Sequence, residues 1–143
     1  MNEYLLDVNV LIAMSDPAHV HHEAAQRWFS VAGAQAWATC PMTENGFTRI
    51  ISHPRYPNCP GDASVVLGML RRFCNQPGHA FWPDDVSLRD ALVDKVLMTH
   101  GQVTDLYLLA LAARHGGKLA TFDRRITASP IPGASDAILL IPS

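Results

Sequence analysis

VTDLYLLALAARHGGKLATFDRRI, residues 103–126, holds a complete helix-to-strand unit. Thr104 is expected to cap a helix that runs to His115, because a threonine oxygen can accept from backbone N–H groups that the first turn leaves unpaired. Gly116-Gly117 stops that helix, since glycine takes the left-handed conformation common just past helix ends. Lys118 to Phe122 then reads as a short strand, and Asp123 follows it directly. A strand reached through a helix of this length points to a crossover between parallel strands.

The same alternation extends in both directions. Residues 3–6 (EYLL) read as a first buried strand, followed by helical material from Val10 to Met14 and a clearer helix over about 20–32. Ala36 to Cys40 reads as a second strand, and Pro41 opens a helix to about Ser52, because proline fits the first helical turn. His53 to Gly61 contains Pro54, Pro57 and Pro60 and is expected to be a loop. A helix resumes over about 63–75, where Val66, Met69, Leu70 and Phe73 recur at helical spacing. A strand at His79 to Trp82, a helix over about 87–97 and a last strand at Ala137 to Ile141 complete the order. The fold class is α/β, a single domain over residues 1–143, with three layers (α/β/α) and a central, mostly parallel sheet of about five strands.

Composition agrees with a single globular core. The 143 residues are 48% hydrophobic and 17% charged, too apolar for a disordered chain. The opening MNEYLLDVNVLIAM lacks a basic start and a small-residue cleavage site and carries Asp7 and Asn9 inside its apolar run, so it does not read as a signal peptide. No stretch is a membrane span, and a cytoplasmic location with no membrane partner is expected. Cys40, Cys59 and Cys74 are odd in number and lack C-x-x-C spacing, which argues for free, packed thiols and against a disulfide framework or a structural zinc site. The net charge of −2 means that any nucleic-acid contact must come from local arginines.

In a parallel sheet, ligands bind beyond the carboxyl ends of the strands. Asp7 closes the first strand, Glu44 sits in the first turn after the second, Asp105 follows Thr104, and Asp123 follows the strand LATF. All four are expected at one edge. Taken singly, Glu44 and Asp105 read as capping acids, because carboxylates suit helix N-termini. Asp7 is harder to explain structurally: it interrupts LLDVNVLIA, where an unpaired charge costs several kcal/mol. Four carboxylates in one pocket would repel, each close pair by roughly 4 kcal/mol at an effective dielectric of 20. Hard oxygen donors select Mg²⁺ or Mn²⁺, ions suited to phosphodiester hydrolysis.

With LLDVNVLIA (5–13), MTENGFTRI (42–50) and the 103–126 stretch in this order, the chain resembles the PIN-domain family, in particular the VapC toxins of bacterial type II toxin–antitoxin pairs. The likeness covers essentially the whole sequence. It implies a PIN-like fold and a Mg²⁺- or Mn²⁺-dependent endoribonuclease that cuts RNA, tRNA or rRNA, and inhibits translation. It also implies a VapB-type antitoxin and a homodimer. By position, Asp7, Glu44, Asp105 and Asp123 would be the metal-binding and catalytic acids. Asn9, Thr104 and Thr121 would support them. Apart from the resemblance, Arg124 and Arg125 follow Asp123 directly and are expected to contact RNA phosphates. Where some relatives carry another acid one turn after the third motif, this chain has Leu106, Tyr107, Leu108 and Leu109.

Other readings fit less well. A non-catalytic PIN module for RNA or protein binding is favoured only if an acid is replaced. An aspartyl-phosphate phosphatase would need a second acid where Asn9 stands. His19, His21, His22 and Glu23 fit a solvent-facing helix start better than a zinc site. Trp28, Phe29, Val66 and Met69 exceed what one sheet face needs and suggest a dimer surface.

Overall fold

Both Leu5 and Leu6 are fully buried, so the short strand that carries them must be covered on both faces, as the central strand of a parallel sheet is. The computed structural model describes residues 2–92, 98–128 and 130–143. Its strands are β1 (Tyr4–Leu6), β2 (Trp37–Thr39), β3 (His79–Phe81), β4 (Lys118–Thr121) and β5 (Ile138–Leu140). They lie in the order β3-β2-β1-β4-β5 with every neighbouring pair parallel. The expected alternation and the five-stranded sheet are both present.

Side-chain alternation along these strands creates two cores. Leu6, Trp37 and Ala120 face one side, where α1 (Val8–Ser15), α2 (His22–Val31), α3 (Pro41–Ile51) and α4 (Ala63–Cys74) cover them. Leu5, Ala38 and Leu119 face the other, under α6 (Val103–Arg114) and the short α5 (Leu88–Ala91). Every residue from Leu106 to Ala112 is buried. Burying each of its leucines contributes about 1.5–3 kcal/mol. The helix expected over 87–97 is present at Leu88–Ala91; residues 93–97 lie outside the described residues.

Helix ends differ from expectation in one place. Thr104 does not cap α6, whose N-cap is Gln102 without a side-chain bond. A 3-10 turn, His100–Gln102, runs straight into the helix, and Thr99 with Gln102 forms the capping box one turn earlier. The C-terminus follows the glycine rule: Gly116 has φ +68 and the Gly117 N–H donates to the Ala112 carbonyl at 2.9 Å. At α3, Pro41 occupies the first turn, and Thr43 bonds back to the Cys40 N–H at 3.0 Å.

The proline-rich loop after α3 is tied to α1 through a buried carboxylate. Asp16 accepts from the Tyr56 hydroxyl, from the Asn58 amide at 2.7 Å and from the Ala18 N–H at 2.9 Å. These bonds hold its carboxyl below the ordinary aspartate range, Tyr56 contributing most. Trp28, Phe29 and Val66, expected at a dimer surface, are buried in this core instead, with Met69 partly buried against it. The large apolar residues that α4 leaves exposed are Val65 and Leu67. No helix among the described residues is long and apolar enough to cross a membrane.

Entry into β3 depends on Gly78, at φ +91, where a Cβ would stand 2.2 Å from the Ala34 carbonyl oxygen. Gly78→Ala combines a left-handed backbone with a clash against main chain, and is expected to cost about 2 kcal/mol or more. Urea unfolding should show a lower midpoint with an unchanged slope; an unshifted midpoint would contradict the packing described.

Candidate active site

Asp7 leaves β1 as its last turn begins α1, and it does two jobs there. Its Oδ1 accepts from the Val8 N–H at 2.8 Å, capping α1. Its Oδ2 accepts from the Thr121 hydroxyl at 2.7 Å, reaching across to the end of β4. The Thr121 oxygen in turn accepts from the Asp123 N–H at 3.0 Å. One hydroxyl therefore fixes the first acid and the turn that carries the last. Asp7 is only 6% exposed, and burial raises its pKa against the lowering effect of these two bonds, with the charge of Asp123 adding to the rise.

Asp105 stands in the first turn of α6. Burial, then the charges of Asp7 and Asp123, push its carboxyl up to about 6, while Arg125 acts in the opposite direction. Three of the four expected acids thus share one electrostatic neighbourhood. Asp123 is held low, chiefly by Arg125, whose Nε and Nη2 donate to its two carboxylate oxygens at 3.0 and 3.1 Å. This pair is exposed on the arginine side, so solvent screening leaves it weak.

The fourth acid does not join them. Glu44 accepts from the Thr39 hydroxyl at 2.6 Å, and Thr39 lies on the sheet face that also carries Trp37, away from α6. The α3 residue that lines the groove with Asp7 and Asp105 is Asn45, one position on. This groove has a volume of about 1100 Å³, and its wall includes Asn9, Thr104, Arg49, His53 and Asp84. A smaller cavity of about 260 Å³ lies between Asp105, Asp123 and Arg125. Asp105 is the wall common to both.

Of the supporting residues expected, Thr121 bonds Asp7 directly, whereas Asn9 and Thr104 stand on the groove wall. Arg125 contacts an acid in this state, and Arg124 is exposed. The histidines are not simply solvent-facing: His22 Nδ1 is 2.7 Å from the Ala13 carbonyl, and His21 stacks on Phe122 with ring centroids 4.5 Å apart. Asp84 and Asn45 were missed in the sequence. Asp84 follows β3 by three residues, so the rule that picked out Asp7 and Asp123 applies to it as well.

The arrangement suits a hard divalent cation. Burial first, and the charges of neighbouring acids second, raise the pKa values of Asp7 and Asp105, and a cation among them would offset both. Their donors are carboxylate oxygens, with no thiol or imidazole in the set, which favours Mg²⁺ or Mn²⁺ over zinc.

Known proteins provide a separate line of comparison. The PIN domain matches residues 4–130. The chain is 43% identical to Ribonuclease VapC39 of Mycobacterium tuberculosis over 141 residues, 94% of this chain and 98% of the relative. It is 44% identical to Ribonuclease VapC44 of the same organism, over 92% of this chain and 93% of the relative. Its backbone superposes on the crystal structure of Mycobacterium tuberculosis VapC20, a sarcin-ricin loop cleaving toxin, with TM-score 0.60 at 11% identity, covering 90% and 96% of the two chains. FitAcB from Neisseria gonorrhoeae gives TM-score 0.56 at 15% identity, covering 96% of each. These two structures speak to the fold alone, and the fold they share is the three-layer one described above. Fold, order of motifs and sequence identity converge: the chain belongs to the PIN-domain family and is of the VapC type.

Proposed function

We propose that this chain is a Mg²⁺- or Mn²⁺-dependent endoribonuclease, the toxin of a type II toxin–antitoxin pair, which hydrolyses phosphodiester bonds of tRNA or rRNA and so inhibits translation. The observation that carries this reading is the convergence of Asp7, Asp105 and Asp123, from three separate elements, on one edge where Asp105 senses the charges of Asp7 and Asp123 and Asp7 senses that of Asp123. Sequence identity to proteins named ribonucleases supports it.

Asp7, Asp105 and Asp123 would hold the ion. When bound, it supplies positive charge against the phosphate and makes a nearby water more acidic. The chain's own residues do the rest. Thr121 fixes the orientation of Asp7. Arg49, on the groove wall, is placed to receive a backbone phosphate, and Arg125 would do so on release from Asp123. The partners are an RNA substrate, a VapB-type antitoxin and a second copy of the chain. On α4 a homodimer would have Val65 and Leu67 to use, since Trp28, Phe29 and Val66 are buried. An antitoxin arginine entering the acid edge would repeat what Arg125 already does to Asp123.

Neutral isosteres separate the acids. Asp7→Asn and Asp105→Asn are each expected to lower cleavage of an RNA substrate in Mn²⁺ by about 100-fold or more. Glu44→Gln should cost far less, and Asp84→Asn more than Glu44→Gln. Near-wild-type cleavage by purified Asp7→Asn would remove the basis of the assignment, and a Glu44→Gln loss as deep as that of Asp7→Asn would place Glu44 back among the essential acids.

Asp105 also predicts a pH dependence for the metal-free protein. The folded state keeps its proton up to about pH 6, whereas the unfolded chain gives it up near the ordinary value of 3.8. Between these values the folded state binds more protons, so its stability falls as pH rises from about 4 to about 6. In EDTA, Asp105→Asn should therefore melt above the wild type at pH 7 and show a flatter profile across that window. Equal melting temperatures at pH 7 would refute this account of the edge.

A further inference from the structure

On the sheet face away from the acid edge, three side chains of different ligand type converge. Glu44 comes from the first turn of α3, Cys74 ends α4, and His79 opens β3. One donor atom from each lies within 4.8 Å of the other two, and all three residues are partly buried. We propose that Glu44, Cys74 and His79 form a second cation site, selective for Zn²⁺ and separate from the site at Asp7, Asp105 and Asp123.

The chemistry of the donors sets the choice of ion. A thiolate, an imidazole and a carboxylate make a borderline-soft set, which suits zinc and not magnesium. Three protein ligands leave a fourth tetrahedral position, open to water. Thiolate and carboxylate together bring two negative charges, which a divalent cation neutralises. Cys74 and His79 are separated by a four-residue turn, and Gly78 fixes its last step at φ +91. The pair is therefore held by short-range geometry, and Glu44 is the distant third ligand.

Thr39 prepares the site. It is fully buried, and its hydroxyl donates to Glu44 Oε2 at 2.6 Å and lies 2.8 Å from His79 Nε2. A hydroxyl has one proton, so once it donates to Glu44 it accepts from His79, which then carries its proton on Nε2. On metal binding that proton shifts to Nδ1, and Nε2 becomes free to act as a ligand. Cys74 must also lose its proton, which burial and the charge of Glu44 hold in place in the metal-free state. Binding should therefore release protons and strengthen as pH rises. An ion here would join α3, the end of α4 and edge strand β3, while Asn45 and Arg49 of the same α3 line the groove.

Cobalt tests this directly, because Co²⁺ replaces Zn²⁺ and reports its ligands by absorption. Full-length protein in excess Mg²⁺, titrated with Co²⁺, should develop the visible bands of a tetrahedral ion and a near-ultraviolet thiolate-to-cobalt band, both saturating at one equivalent. Equimolar Zn²⁺ should abolish them. Cys74→Ser should lose the near-ultraviolet band, Cys59→Ser should keep it, and His79→Gln should weaken Co²⁺ binding by about 100-fold or more. Circular dichroism and cooperative melting establish that each variant is folded. Zn²⁺ should also raise the melting temperature of the wild type and not that of His79→Gln. Absence of a thiolate band in the wild type, its survival in Cys74→Ser, or displacement of cobalt by Mg²⁺ would each overturn the proposal.

Discussion

A carboxylate buried at the carboxyl end of the central strand constrains much of this molecule. Asp7 has almost no access to solvent, and an isolated charge in such a place is expensive. Two donors offset that cost: the Val8 N–H, which exists because α1 begins there, and the Thr121 hydroxyl, which exists because β4 pairs beside β1 in the register Leu6 to Ala120. Both require the strand order observed. What remains after those bonds are made is chiefly the cost of burial, to which the neighbouring acids add at both Asp7 and Asp105. A cation placed among these acids would relieve that remainder.

Strand alternation divides the acids between the two faces. Asp7 and Thr121 follow Leu5 and Leu119 by two residues, and so point with them toward α6. Thr39 follows Trp37 by two and points the other way, taking Glu44 with it. Glu44 and Asn45 are neighbours in sequence but serve opposite sides of α3. The close approach of α1 and α3 sets this rotation, since a Cβ on Gly46 would come within 2.9 Å of a Val8 methyl group.

Much of this was readable before any coordinates. The apolar runs, the glycine stop at residues 116–117 and the proline at 41 mark the elements because each acts locally through backbone geometry. Asp7 stood out because a charge in an apolar run needs a reason. The rotation of α3 was not readable, because residues 44 and 45 both flank the buried positions Thr43 and Phe47, and only packing against Val8 decides between them. Thr104 looked like a cap until the 3-10 turn moved the helix start to a point beyond the reach of its side chain. The cluster of Glu44, Cys74 and His79 was not readable either, since Cys74 and His79 gain their third neighbour only when α3 is docked. Asp84 was hidden by the short, partly exposed β3, whose end was less obvious than those of β1 and β4.

The pairing of β1 with β4 also has a consequence for the order of synthesis. The bond from Thr121 to Asp7 spans 114 positions, so the acid edge closes only after all of the chain between them has been made. A ribosome translating this stretch holds a chain that has Asp7 but not yet its partner Thr121. Non-local parallel pairing of this kind forms late. For a protein that cuts RNA, that delay would keep the growing chain inert beside the ribosome that makes it, and a chain truncated before β4 would have no assembled site.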